Sequence, residues 1–90
     1  MLRITEIFES ADSVTLKVDG RIASEWITLL EQECLKWLQA KREVLLDFSE
    51  VKFIEHSGVA MLKRIASPNL RLVNCSALIA ELLNGNNNQY

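Results

Sequence analysis

Two runs of strand character, the alternating Val14-Thr15-Leu16-Lys17-Val18 and the unbroken Val44-Leu45-Leu46, flank a stretch whose apolar residues recur at helical spacing. Trp26, Ile27, Leu30, Cys34, Trp37 and Leu38 fall in a wedge of roughly 120° at 100° per residue. Glu25, Thr28, Gln32, Lys36 and Gln39 occupy the opposite side, with Leu35 the one large apolar residue placed among them. Ser24 stands where a side-chain oxygen caps the helix, which the pattern carries to about Lys41. A helix of that length between two strands is a crossover. The strands it joins therefore lie parallel in one sheet, with a right-handed connection.

The rest of the chain extends this unit in both directions. Leu2, Ile4, Ile7 and Phe8 precede the polar turn Glu9-Ser10-Ala11-Asp12-Ser13, which predicts an antiparallel partner for the strand at 14–18. Beyond the run at 43–48, a loop over 49–56 leads to a helix over 57–66 with Val59, Leu62, Ile65 and Ala66 on one face. Pro68-Asn69 breaks the chain before a strand at 70–74. Ser76 caps a last helix over 77–83, and Asn84-Gly85 closes it. The fold class is α/β, in the order β-β-α-β-α-β-α. It comprises a mixed four-stranded sheet in the order 1-2-3-4 with three helices, packed through Trp26, Leu30, Leu62 and Leu82. Strand 4 is left with an open edge, so the expectation is that the tail covers it or that it serves self-association as a homodimer.

With 90 residues, 49% of them hydrophobic, the chain holds one core: a single domain over 1–85 and a polar tail over 86–90 expected to fray. Its 12 acidic and 10 basic side chains are scattered, so no basic stripe exists to meet phosphates, and nucleic acid is excluded as a partner. No apolar run approaches the roughly 18 residues that span a bilayer, so no direct membrane insertion is expected. Glu6 and Glu9 close behind Met1 argue against a secretory signal, and the expected setting is cytoplasmic. In that compartment Cys34 and Cys75, with neither CxxC spacing nor a neighbouring histidine, read as reduced and mostly buried thiols. Gly20, Gly58 and Gly85 are too far apart for a phosphate-binding loop, so no cofactor is expected.

The most specific stretch runs from Leu45-Leu46-Asp47-Phe48-Ser49-Glu50 through Val51-Lys52-Phe53-Ile54 to Glu55-His56-Ser57-Gly58-Val59. It resembles the signature of the STAS domain family: an apolar strand, Asp-Leu-Ser, an apolar loop, then Asp-Ser-Ser-Gly-Leu opening a helix. Val18-Asp19-Gly20-Arg21-Ile22 and Val73-Asn74-Cys75-Ser76-Ala77 are similar to two further joints of that family, so the resemblance spans nearly the whole chain. It implies a STAS-like fold lacking the family's last strand and helix. It also implies a protein-interaction module of the bacterial anti-sigma factor antagonist type, whose partner is an anti-sigma factor that is also a serine kinase. The serine before the glycine accepts phosphate in such members, and Ser57 is the residue at that place. Glu55 stands for the family's aspartate and His56 for its first serine. The link at 66–70 is compressed, leaving a short second helix. The shorter outline is also similar to the STAS subunit that docks on the ATPase of bacterial lipid-transport ABC complexes.

The residues themselves leave two readings of Ser57 open. A serine at a helix start bonds a free backbone N–H, and Gly58 beside it admits a close approach of another chain. A phosphate there would sit at the positive end of the helix dipole, tolerated by the domain but repelling a partner packed against it. The resemblance to the STAS family makes Phe53, Glu55, His56, Ser57, Gly58 and Met61 the expected partner-binding residues. His56, the one histidine, is not a catalytic or metal residue on this reading, because adjacency to Ser57 does not supply the geometry of a nucleophile and its base, and no second ligand stands at metal spacing. Glu50 and Glu55 read as solvated loop acids, and Asp47 as the residue that holds the loop after its strand by backbone bonds. No enzymatic activity is expected.

Overall fold

The computed structural model describes residues 1–84, so the end of the domain at 85, the closing Gly85 and the tail over 86–90 lie outside the described residues. Strands β1 (Leu2–Glu9) and β2 (Ser13–Ile22) pair antiparallel, as the polar turn between them requires. Helix α1 (Glu25–Gln39) then carries the chain to β3 (Glu43–Ile54), parallel to β2, and α2 (His56–Arg64) carries it to β4 (Leu70–Val73), parallel to β3. Helix α3 (Ala77–Asn84) follows. The sheet order is β1-β2-β3-β4, as the crossover argument predicts.

Val14, Leu16 and Val18 of β2 and Val44, Leu46 and Phe48 of β3 are buried on one face of the sheet, against Leu30 and Cys34 of α1 and Met61 and Leu62 of α2. Ile79 is the buried anchor of α3, whereas Leu82, expected in the core, is 44% exposed. On α1 the outward apolar residue is Leu29, and Leu35 packs against the core instead. Leu29 lies on the other shoulder of the wedge, and the layer beneath α1 reaches further around the helix on the Leu35 side. Burial, with the Glu33 and Glu31 carboxylates nearby, pushes the Cys34 thiol up to about 12, so it is held as the neutral thiol, while Cys75 is only half-buried.

The exit from α1 sets the start of β3. Lys41 takes a left-handed φ of 64°, its N–H donates to Leu38 O at 3.0 Å, and the Arg42 N–H donates to Trp37 O at 3.1 Å. These two bonds make a Schellman motif with lysine where glycine is usual. Arg42 then lies over the Trp37 ring at 4.9 Å and pairs with Glu9, tying the end of β1 to the same corner.

Strand β3 is twice the expected length, and the segment expected as a loop over 49–56 is mostly strand. Its buried positions step by two as far as Phe48 and then by three, through Val51 to Ile54. The pairing with β2 shows why: Lys17 faces Asp47 but Asp19 faces Glu50, and Gly20 faces Val51 but Arg21 faces Phe53. Two extra residues in β3 are taken up as bulges, which keep the inward side chains inward across a broken alternation.

Asp47 sits at the first bulge. Its carboxylate accepts the Ser49 N–H at 3.0 Å and the Asn74 side-chain amide at 3.2 Å, joining β3 to the turn after β4. The Ser49 backbone donor, helped by the Ser49 hydroxyl and Asn74 against partial burial, holds the Asp47 carboxyl below the usual carboxylate range. Because the folded-state value is lowered, the stabilisation is complete above the ordinary carboxylate range and is lost as pH falls through the folded value. Asp47→Ala is expected to cost about 1 kcal/mol at neutral pH. Urea denaturation of both proteins should show that gap narrowing as pH falls below the ordinary carboxylate range.

Candidate functional site

Parallel pairing of β2 and β3 places the two strand ends side by side, each leading directly into a helix. Ile22 is level with Ile54, and the ladder runs one step further, with the Glu55 N–H donating to Ile22 O at 2.9 Å. The starts of α1 and α2 are thereby brought to one end of the domain. Residues from Arg21 to Glu25 and from Phe53 to Gly58 form one surface, although about thirty positions separate them in sequence.

Helix α2 begins one residue earlier than the sequence pattern suggests. Glu55 holds the N-cap position at φ −72° and ψ 156°, its carbonyl accepting from Gly58 N–H at 2.8 Å and Val59 N–H at 3.1 Å. Ser57 is therefore inside the first turn and not its cap, and neither Glu55 nor Ser57 makes a side-chain capping bond there. The Glu55 carboxylate turns the other way. Its Oε1 accepts the Ser24 N–H at 3.1 Å, and the Ser57 hydroxyl approaches the same oxygen at 3.5 Å, the outer limit of a hydrogen bond.

Ser24 precedes α1 as expected but does not cap it. Its φ of 55° and ψ of −138°, with Trp26 N–H donating to Ala23 O at 3.1 Å, put it at the first central position of a type II′ turn. Glycine is the usual residue there, and a side chain in that region stores strain. The strain is held by the turn bond on one side and by Glu55 on the other.

The expected partner-binding residues divide into two sets. Glu55 is half-buried, and His56 and Ser57 are exposed. Phe53 is 38% exposed with the Arg21 guanidinium 4.4 Å above its ring, which fixes a positive charge beside the turn. Met61, in contrast, is 1% exposed in the core and cannot meet a partner. Gly58 is also buried, and its missing side chain serves the domain itself: a Cβ there would lie 3.0 Å from Ile54 Cγ1 and 3.2 Å from Ile22 Cγ2. It lets α2 settle onto the strand ends and does not make room for another chain. Sequence reasoning missed Arg21, Ile22 and Ser24. Only the pairing of β2 with β3 brings them to this corner, and the likeness of Val18-Asp19-Gly20-Arg21-Ile22 to a family joint was the signal that could have drawn attention to them.

Among the described residues no hydrogen bond joins Ser57 to His56, and no three His, Cys, Asp or Glu side chains gather as metal ligands. No described helix is long and apolar enough to cross a membrane.

The sequence profile of the family described as "Mlab, STAS domain" matches residues 7–85. No curated protein sequence matches the chain. Among solved structures, that of the anti-sigma factor antagonist SpoIIAA in its unphosphorylated form is similar with a TM-score of 0.66. The match covers 89% of this chain and 80% of that one at 15% sequence identity, which is a likeness of fold.

Two substitutions test the packing of this corner. Gly58→Ala should destabilise by about 1 kcal/mol, because both side chains that a methyl would press are buried and β-branched and cannot swing aside. Ser24→Gly should stabilise by about 0.5 to 1 kcal/mol, since relief of the turn strain outweighs the added chain entropy and the Ser24 N–H is kept. Denaturation midpoints of the two variants against the wild type check both signs.

Proposed function

The chain belongs to the STAS family, and on that premise we propose that it is a non-enzymatic protein-interaction module whose partner packs on the β3–α2 turn around Phe53, Glu55, His56 and Ser57. The observation that carries the reading is the exposure of Ser57 on the first turn of α2, where Gly58 lets the helix settle closely onto Ile22 and Ile54. A serine exposed there is accessible to a modifying enzyme without unfolding the domain. On this reading the protein acts as an anti-sigma factor antagonist in the cytoplasm. Its partner is an anti-sigma factor with serine kinase activity, and phosphate on Ser57 releases it. The charge is compatible with the helix N-terminus of the domain but adds desolvation and repulsion to an interface formed around a neutral hydroxyl.

One observation favours a second reading. Glu55 is one methylene longer than the family's aspartate and its carboxylate is turned to the Ser24 N–H, with the Ser57 hydroxyl only at 3.5 Å, so a kinase that orients the serine through that acid meets a different geometry. A surface so placed also suits a constitutive subunit docked by the same turn on the ATPase of a lipid-transport ABC complex, with no need for modification.

The two readings are separated by capturing the partner with the wild-type chain, identifying it, and measuring its affinity for the wild type, Ser57→Ala and Ser57→Asp. The switch requires Ser57→Ala to bind within about twofold of the wild type and Ser57→Asp at least about tenfold more weakly. Equal affinities across the three, with an ABC ATPase as the captured protein, establish constitutive docking instead.

A further inference from the structure

The Glu55 carboxylate is engaged by two segments that the sequence keeps far apart, and it meets them through one oxygen. Oε1 accepts the Ser24 N–H at 3.1 Å and is the oxygen that Ser57 approaches at 3.5 Å. The Glu55 backbone is held independently by its bond to Ile22 O at 2.9 Å, so the side chain can move without the strand end moving. Ser24 is in a conformation that a non-glycine residue adopts only under constraint, and the Glu55 bond is one of the contacts maintaining it. Among the described residues no ion pair neutralises Glu55, and the Arg21 guanidinium is engaged with the Phe53 ring.

We infer that Glu55 is a positioning residue that joins the β2–α1 turn and the start of α2 into one surface, and that negative charge at residue 57 is transmitted through it to Ser24. An anion at residue 57 lies within a few ångströms of an unneutralised carboxylate, where like charges repel strongly. The flexible glutamate yields by rotating away. The Ser24 N–H then loses its acceptor, and the type II′ turn loses one of the contacts that hold its strain. The shape presented by residues 23–25 therefore changes together with the charge at residue 57. A partner that spans both loops would sense two changes at once. As a statement about regulation this rests on the partner reading above, but the mechanical link is intramolecular and is tested without any partner.

The test is amide hydrogen exchange at Ser24, read by NMR on the full chain, for the wild type, Ser57→Ala, Ser57→Asp, Glu55→Gln and the Glu55→Gln/Ser57→Asp double variant. Glutamine keeps an acceptor oxygen but removes the charge on which the link depends. Exchange at Ser24 should rise about tenfold in Ser57→Asp and stay within about twofold of the wild type in Ser57→Ala. In the Glu55→Gln background, adding Ser57→Asp should change it by less than about twofold. The buried amides of Leu30 and Val59 serve as internal references and should be unchanged throughout. Unaltered Ser24 exchange in Ser57→Asp overturns the link. So does an equal rise in both backgrounds, or a parallel rise at Leu30 and Val59, which would mark general loosening. Should Ser57→Asp fold poorly, Ser57→Glu is read by the same criteria. Partner affinities measured separately decide the reading of function, so the two can fail independently.

Discussion

The parallel pairing of β2 with β3 is the interaction on which the rest of the structure depends. It buries Val14, Leu16 and Val18 beside Val44, Leu46 and Phe48, and these six side chains form the floor on which α1 and α2 rest. Parallel strands require a crossover, and the crossover here is the amphipathic α1, whose apolar wedge closes the core from above. The same pairing sends both strands out at one end. That end holds two helix starts and the turn with Ser57, so the site follows from the topology before any of its side chains is considered.

Holding that end in register has local costs that the structure meets at identifiable places. Two bulges allow β3 to outrun β2 by two residues and still bring Ile54 level with Ile22. The absence of a side chain at Gly58 lets α2 close down on those two isoleucines. Ser24 accepts a backbone conformation better suited to glycine, and Glu55 supplies the bond that keeps it there. Asp47 satisfies the Ser49 N–H inside the first bulge and reaches across to Asn74. Polar side chains in this corner thus serve backbone groups that regular pairing leaves without partners.

Family membership and fold do not by themselves supply a partner, because similar surfaces on one fold serve different assemblies. What distinguishes this surface chemically is the carboxylate of Glu55 shared between Ser24 and Ser57, with the Arg21 charge stacked on Phe53 at its margin. These features make the turn a place where one added charge has both an electrostatic and a conformational effect. Whether that charge is added at Ser57 is what separates a switched module from a fixed subunit.

Element order, sheet order and the core face of α1 were legible in the sequence because each rests on a periodicity or a chain length that acts locally. Six apolar residues in one helical wedge and a crossover of that length admit few arrangements. Ser76 could be read as a cap for the same reason, and its hydroxyl accepts the Ile79 N–H at 3.2 Å. The second half of β3 was hidden because its buried residues, Phe48, Val51 and Ile54, are spaced by three, and only the bulges opposite β2 make that spacing a strand. The inward placement of Met61 and Gly58, and the role of Glu55 as a bridge to Ser24 and not a solvated loop acid, were likewise decided by packing between segments about thirty residues apart. Sequence alone determined which turn would carry the exposed serine. Tertiary structure decided what that serine touches, because the oxygen beside it is shared with a backbone N–H that only the β2–β3 pairing brings within reach.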